Sequence, residues 1–305
     1  MSLAETVIRP VRARSSTGVA WPGATVVFFG LSGLMTMGIV AAFAAALEPW
    51  SASAALALPL VGVTAFWISG GAATAILGLT RRADDPPGVP HGWAPPGHTA
   101  ILVTLCGEDA RPVARYLKGL RHGLDREGLG RTGTIHVLSD TQDQDRVAAE
   151  EDALCGLIRT GAVIYRRRTE NIGRKPGNIA DWLMEHGETF DYMMVLDADS
   201  RMSAPRIRRL IHRIASRPRT GLVQAGIAIT PGRSRFSRHQ RASARLLTPN
   251  FGRGFAAWTG ESGNYWGHNA IMRVAAFRAA AALPRLSGRA PFGGTLLSHD
   301  FVEAA

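Results

Sequence analysis

A chain of 305 residues with 46% hydrophobic composition can bury a sizeable core, but its apolar residues are spread too unevenly for one uniform globule. Its two cysteines, Cys106 and Cys155, lie far apart, and Cys106 falls in a stretch read as a buried strand, so neither a disulfide framework nor a zinc site is indicated and a reducing compartment fits. The formal charge of +11 invites nucleic acid as a partner, yet no helix-turn-helix, zinc-finger or aromatic RNA-binding signature accompanies the arginines; an anionic membrane or a sugar diphosphate explains them as well.

Residues 1–20 carry Arg9, Arg12 and Arg14 with little apolar pattern and read as a disordered basic tail rather than a signal peptide. From Ala24 to Leu47 there is no charged residue, and a second uncharged run extends from Ala52 to Thr80. Each exceeds the roughly 20 residues needed to cross a bilayer core of about 30 Å. Residues 21–82 therefore read as a transmembrane hairpin. Arginines precede the first span and follow the second at Arg81 and Arg82, while the connecting turn has none, which puts both hairpin ends in the cytoplasm. Trp21 and Trp50 lie at span ends as interface anchors, Trp67 falls mid-span as a packing residue, and Gly30, Gly33, Gly38, Gly70 and Gly71 permit close helix approach.

Residues 83–98 form a linker rich in proline and glycine, beyond which 99–305 reads as a separate domain. Apolar runs predict strands at Thr99 to Leu105, Thr134 to Leu138, Ala162 to Tyr165 and Tyr192 to Leu196. Helical periods predict helices at Arg111 to Leu124, Arg146 to Arg159, Asn178 to His186 and Pro205 to Arg217. Short apolar strands alternating with helices describe an α/β domain with a doubly wound, mostly parallel sheet. The helix from Pro205 is amphipathic, with Arg206, Arg208, Arg209, Arg213 and Arg217 on a basic face turned to solvent, anionic lipid or an acidic protein. Arg233, Arg235, Arg238, Arg241 and Arg245 follow and are read as non-catalytic.

The chemistry concentrates at strand ends. Tyr192 to Leu196 closes on Asp197-Ala198-Asp199-Ser200, two carboxylates across one small residue, where hard oxygen ligands suit Mg²⁺ or Mn²⁺ carrying a diphosphate. A solvated turn after a strand is the other reading. Asp140 ends the second strand and either accepts hydrogen bonds from a base or ribose or caps the next helix, with Thr141, Asp143 and Asp145 nearby. No phosphate-binding glycine loop follows the first strand, which disfavours a nucleoside triphosphatase or dinucleotide enzyme.

The run Tyr165-Arg-Arg-Arg-Thr-Glu-Asn-Ile-Gly-Arg-Lys-Pro-Gly-Asn178, followed by Val195-Leu-Asp-Ala-Asp-Ser200, resembles the cytoplasmic domain of processive inverting glycosyltransferases of the cellulose-synthase type. More narrowly, Gly263-Asn-Tyr-Trp-Gly-His-Asn-Ala-Ile271 and the stretch from Pro291 through Ser298-His299-Asp300 to Glu303 resemble the glucan biosynthesis glucosyltransferase H family, which makes osmoregulated periplasmic glucans. The resemblance implies a GT-A-type fold, a UDP-glucose donor, a β-1,2-linked glucan acceptor, Mg or Mn, and a multi-pass protein of the bacterial inner membrane with its catalytic domain in the cytoplasm. It implies that Asp140 holds the uridine, that Asp199 binds the metal, with Asp197 shared between metal and nucleotide sugar, and that Lys175, Gly177 and Asn178 match a K-A-G-N element beside the nucleotide. Pro176 departs from that element, since alanine is usual there. Asp300 matches the catalytic base, with His299 as a rival; Trp266 either stacks on an acceptor sugar or packs in the core, and His268 and Asn269 are assigned to the acceptor. Acyl carrier protein is an acidic partner of some family members.

Family members continue into a Q-x-x-R-W motif and further transmembrane helices, and no Gln-x-x-Arg-Trp occurs here. The expectation is the front part of a longer enzyme or a shortened product. A non-catalytic membrane protein that binds nucleotide sugars is the competing function.

Overall fold

The computed structural model describes residues 22–47, 51–80, 88–280, 287–289 and 293. These divide into two compact units. One comprises the described parts of 87–225 and 264–305; the other those of 15–86 and 226–263.

The sheet unit is built on six strands in the order β3-β2-β1-β4-β6-β5. They are β1 (Thr99–Leu105), β2 (Gly133–Ser139), β3 (Ile164–Arg167), β4 (Tyr192–Asp197), β5 (Leu222–Gln224) and β6 (Ala270–Arg273). β1 to β4 are mutually parallel, and β6 runs antiparallel to both β4 and β5. This is the mixed, mostly parallel α/β sheet expected for a GT-A-type domain. The central strands are apolar throughout because both sheet faces are covered. Ile101, Val103 and Leu105 point into one core with helices α3 (Ala110–Arg126), α4 (Gln144–Arg159) and α6 (Ala204–Ala215). Ala100 and Leu102 point into the opposite core with α5 (Arg174–His186) and α8 (Val274–Ala280).

The α6 helix buries Ile207, Leu210, Ile211 and Ile214 against the sheet and leaves Arg206 and Arg209 exposed, as its period predicts. Arg208 is only half-exposed: it donates to the Trp93 carbonyl at 3.0 Å and lies over that indole. Cys106 also differs from expectation. It falls one residue beyond β1 and is exposed.

The second unit holds α1 (Pro22–Ala45), α2 (Ala52–Thr80) and α7 (Arg235–Thr259). Residues 23–45 and all of α2 are long and apolar enough to cross a membrane. Sequence division placed 226–263 in the domain beyond the linker, whereas here α7 packs on the hairpin. Trp258 stacks on Phe28 with ring centroids 4.0 Å apart and donates to Thr74 Oγ1 at 3.2 Å. The glycine that close packing requires is Gly78, where a Cβ would lie 1.8 Å from the Asn250 carbonyl oxygen; one on Gly254 would lie 1.8 Å from that of Thr74. A Cβ at Gly30, Gly33, Gly38 or Gly71 would meet nothing within 4 Å, so among the described residues no close approach requires these glycines. Trp67 is 84% exposed on its helix, an outward rather than a packing residue. Trp21 and Trp50 lie outside the described residues.

Candidate functional site

Register explains how distant residues meet. Leu105 pairs with Ser139, Ser139 with Arg167 and Thr104 with Asp197, so β1 to β4 end at one sheet edge. Residues 263–269 reach the same edge, because β6 begins there and the Asn269 amide donates to the Val195 carbonyl at 2.7 Å. Asp140, Lys175, Asp197, Asp199, Trp266, His268 and Asn269 all belong to segments gathered along it. Asp300 and His299 lie outside the described residues.

Lys175 arrives by an unusual turn. Gly173 (φ 68°) and Arg174 (φ 53°) are both left-handed, and the chain then enters α5. Only glycine takes such a conformation without steric penalty, so Arg174 holds it against its preference. Gly177 is demanded by packing: a Cβ there would stand 2.1 Å from the Ile172 carbonyl oxygen. Pro176 fits although alanine is usual, since its missing N–H falls in the first helical turn, where amides have no intrahelical acceptor. The turn delivers Lys175 Nζ to 2.5 Å from Asp197 Oδ1 and 2.7 Å from the Gly267 carbonyl.

Asp197 has a second neighbour. His268 Nε2 stands 3.9 Å from its Oδ2. Asn269 Nδ2 lies 2.8 Å from His268 Nδ1, so the two side chains hold each other beside that carboxylate. Asn269 adopts φ 56°, and its Oδ1 is buried with no partner among the described residues. Asp199 is exposed and forms no ion pair among the described residues. Trp266, 39% exposed, is fixed through its backbone amide, which donates to Gln224 Oε1 at 3.1 Å.

Asp140 does not cap the following helix; Asp143 does, accepting from the Arg146 amide at 3.0 Å. Asp140 is buried, and Arg168 forks onto it, Nε to Oδ1 at 2.7 Å and Nη2 to Oδ2 at 2.9 Å. Arg168 is a site residue that sequence reasoning missed. Burial pulls its pKa down, but hydrogen bonds to Asp140 and Asp181 outweigh this and hold it raised. Behind the pair, buried Glu150 accepts from Thr141 Oγ1 at 2.7 Å and from the Tyr165 hydroxyl at 2.9 Å. Burial, then the Glu150 hydrogen bond, pushes the Tyr165 phenol up and keeps it neutral. Asn178 is also buried; its side-chain oxygen accepts from Arg166, so its polar end meets the protein.

The donor set can be tested against a divalent ion. Asp197 and Asp199 offer hard oxygens, and Mg²⁺ characteristically takes one or two carboxylates with the rest of its shell from water and substrate phosphate. No cluster of three or more His, Cys, Asp or Glu occurs among the described residues. The two carboxylates fit a metal that arrives with a phosphorylated ligand.

Residues 133–280 match glycosyl transferase family 2. Over 260 residues the chain is 42% identical to glucans biosynthesis glucosyltransferase H of Bradyrhizobium diazoefficiens, covering 82% of this chain and 35% of that protein. It is 39% identical over 252 residues to the protein of that name from Cereibacter sphaeroides, covering 81% and 42%. For the Vibrio cholerae protein the identity is 40% over 253 residues, covering 81% and 35%. The chain thus spans 35% to 42% of the length of these relatives. Among solved structures, mannosyl-3-phosphoglycerate synthase from Rubrobacter xylanophilus gives a TM-score of 0.35 at 16% identity, covering 63% of this chain and 57% of that one, a likeness too distant to carry an argument.

Proposed function

Because the chain belongs to the glucans biosynthesis glucosyltransferase H family and carries a glycosyl transferase family 2 domain, we propose that it transfers glucose from UDP-glucose to a growing β-1,2-linked glucan, with inversion. The observation that carries the reading is the gathering of Asp140, Lys175, the Asp197–Asp199 pair and the run from Trp266 to Asn269 at one sheet edge.

Each residue has work that its chemistry suits. Asp140, held rigid by Arg168, accepts hydrogen bonds from the uridine. Lys175 exchanges Asp197 for phosphate oxygen when donor enters, which keeps its charge paired throughout. Asp197 and Asp199 would hold Mg or Mn, which when bound neutralises charge on the departing diphosphate. Gly177 lets the preceding loop at Ile172 close against the first turn of α5. Trp266 offers an apolar ring face for an acceptor sugar, with His268 and Asn269 supplying polar contacts.

In the transfer, the acceptor hydroxyl oxygen bonds to the anomeric carbon as the bond to the diphosphate oxygen breaks. The hydroxyl proton passes to Asp300, a role assigned on the family resemblance, and UDP leaves. We place the protein in the inner membrane through α1 and α2, with the sheet domain cytoplasmic and product delivered to the periplasm. Lipid bilayer and glucan acceptor are then its partners.

Turnover of radiolabelled UDP-glucose in membranes, with and without EDTA, tests donor, metal and product together. The expected outcome is EDTA-sensitive incorporation into a glucan whose linkage analysis gives β-1,2 bonds. Binding of UDP without any product would support the non-catalytic alternative.

A further inference from the structure

We infer that Arg168 is a positioning residue that couples the nucleobase side of the donor site to its diphosphate side. The inference rests on the proposed function, in which Asp140 meets the uridine and Lys175 the diphosphate. One guanidinium does both tasks because its five N–H donors are spread over a rigid plane. Nε and Nη2 take the two oxygens of Asp140. Nη1 donates to Asp181 Oδ2 on α5 at 3.0 Å and to the Ile172 carbonyl at 2.9 Å. Nη2 also reaches the Arg174 carbonyl at 2.9 Å. The next residue is Lys175.

The same side chain therefore fixes the carboxylate at the end of β2 and ties down the left-handed turn that sets where Lys175 starts. Its burial makes these bonds exacting: the Arg168 and Asp140 side chains are 9% and 5% exposed. An unpartnered buried charge on either would be costly, so neither group can drift alone. Arg168 need not touch the donor to act on it. Releasing it would loosen Asp140 and the loop before Lys175 in one event.

Calorimetric titration of the purified full chain with uridine, and separately with inorganic pyrophosphate plus Mn²⁺, reads the two sides independently. Arg168→Gln is expected to weaken both by about tenfold, and to raise donor KM while kcat changes less than about threefold, because both contacts are made in ground and transition states alike. Asp181→Asn, which cuts the α5 anchor and leaves the Asp140 fork, is expected to weaken pyrophosphate alone. Arg168→Lys keeps the charge without the fork and falls between wild type and Arg168→Gln. Should Arg168→Gln fail to fold, Asp181→Asn and Arg168→Lys carry the test. Loss of uridine affinity with pyrophosphate unaffected, or no change in either, overturns the coupling. A wild type that binds neither probe overturns the proposed donor site, and the coupling with it.

Discussion

Asp197 offers its two carboxylate oxygens to two different neighbours. Lys175 Nζ rests on Oδ1 at 2.5 Å while His268 Nε2 stands 3.9 Å from Oδ2. Substituting Lys175 by Met leaves that carboxylate without its cation and removes the proposed phosphate partner; donor KM is expected to rise about tenfold or more, measured by initial rates. A different residue controls the pH response of stability. Burial, with His186 and Arg166 close by, lowers the His136 pKa from 6.5 to about 4. Between those values the unfolded chain takes up a proton that the folded chain refuses. Stability is thus full above 6.5 and falls as pH drops toward about 4, by up to about 3 kcal/mol for this group. Urea unfolding at pH 7 and pH 4.5 checks this, and a His136→Gln variant should lose most of the difference. Asp197 and Asp199 were conspicuous because they end an apolar run, and Lys175 because its segment resembles a family element. Arg168 stayed hidden as the last of three consecutive arginines, a run that carried the resemblance without a role for any one of them. Only the pairing of Ser139 with Arg167 places it beside Asp140.

At the scale of elements, two close approaches set the geometry. Gly177 lets the turn at Ile172 close over the start of α5, and Gly78 with Gly254 lets α7 lie against α2. Gly254→Val would force backbone apart where a Cβ has 1.8 Å of room, and is expected to cost about 1–3 kcal/mol or more, seen as a lower melting temperature in detergent. Long apolar elements were legible: α2 and β1 have the predicted bounds. β3 lies two residues later than its apolar run suggests, at Ile164–Arg167, because an edge strand can end in arginines whose side chains find partners off the sheet. β5 and β6, with three and four residues, are too short to show a period, and their pairing is tertiary. The α7 pattern was obscured by its arginines and by Pro249 inside the helix. Its packing partner lies more than 170 residues away, as in Arg253 donating to the Gly78 carbonyl.

For the whole molecule, a family 2 glycosyltransferase domain is preceded by two helices able to cross a membrane. Basic residues flank this hairpin at Arg14 and Arg81, and the proposed topology puts both on the cytoplasmic side. Single cysteines introduced at Ser15 and at Gly88, in a background lacking Cys106 and Cys155, should both resist a membrane-impermeant thiol reagent in intact cells and react after lysis. The fold class was readable because strand and helix periods alternate in a long apolar-rich stretch. Chemistry was readable only in part, since a reaction site is assembled by register and turn geometry. Metal-assisted transfer from UDP-glucose through the Asp197–Asp199 pair is tested most directly by UDP release from UDP-glucose in membranes carrying wild type or Asp199→Asn. Wild type is expected to release UDP in a metal-dependent way and the variant about a hundredfold or more slower, with its melting temperature retained, because charge neutralisation on the leaving diphosphate supplies several kcal/mol. Wild-type rates in Asp199→Asn, or release indifferent to EDTA, would rule this mechanism out.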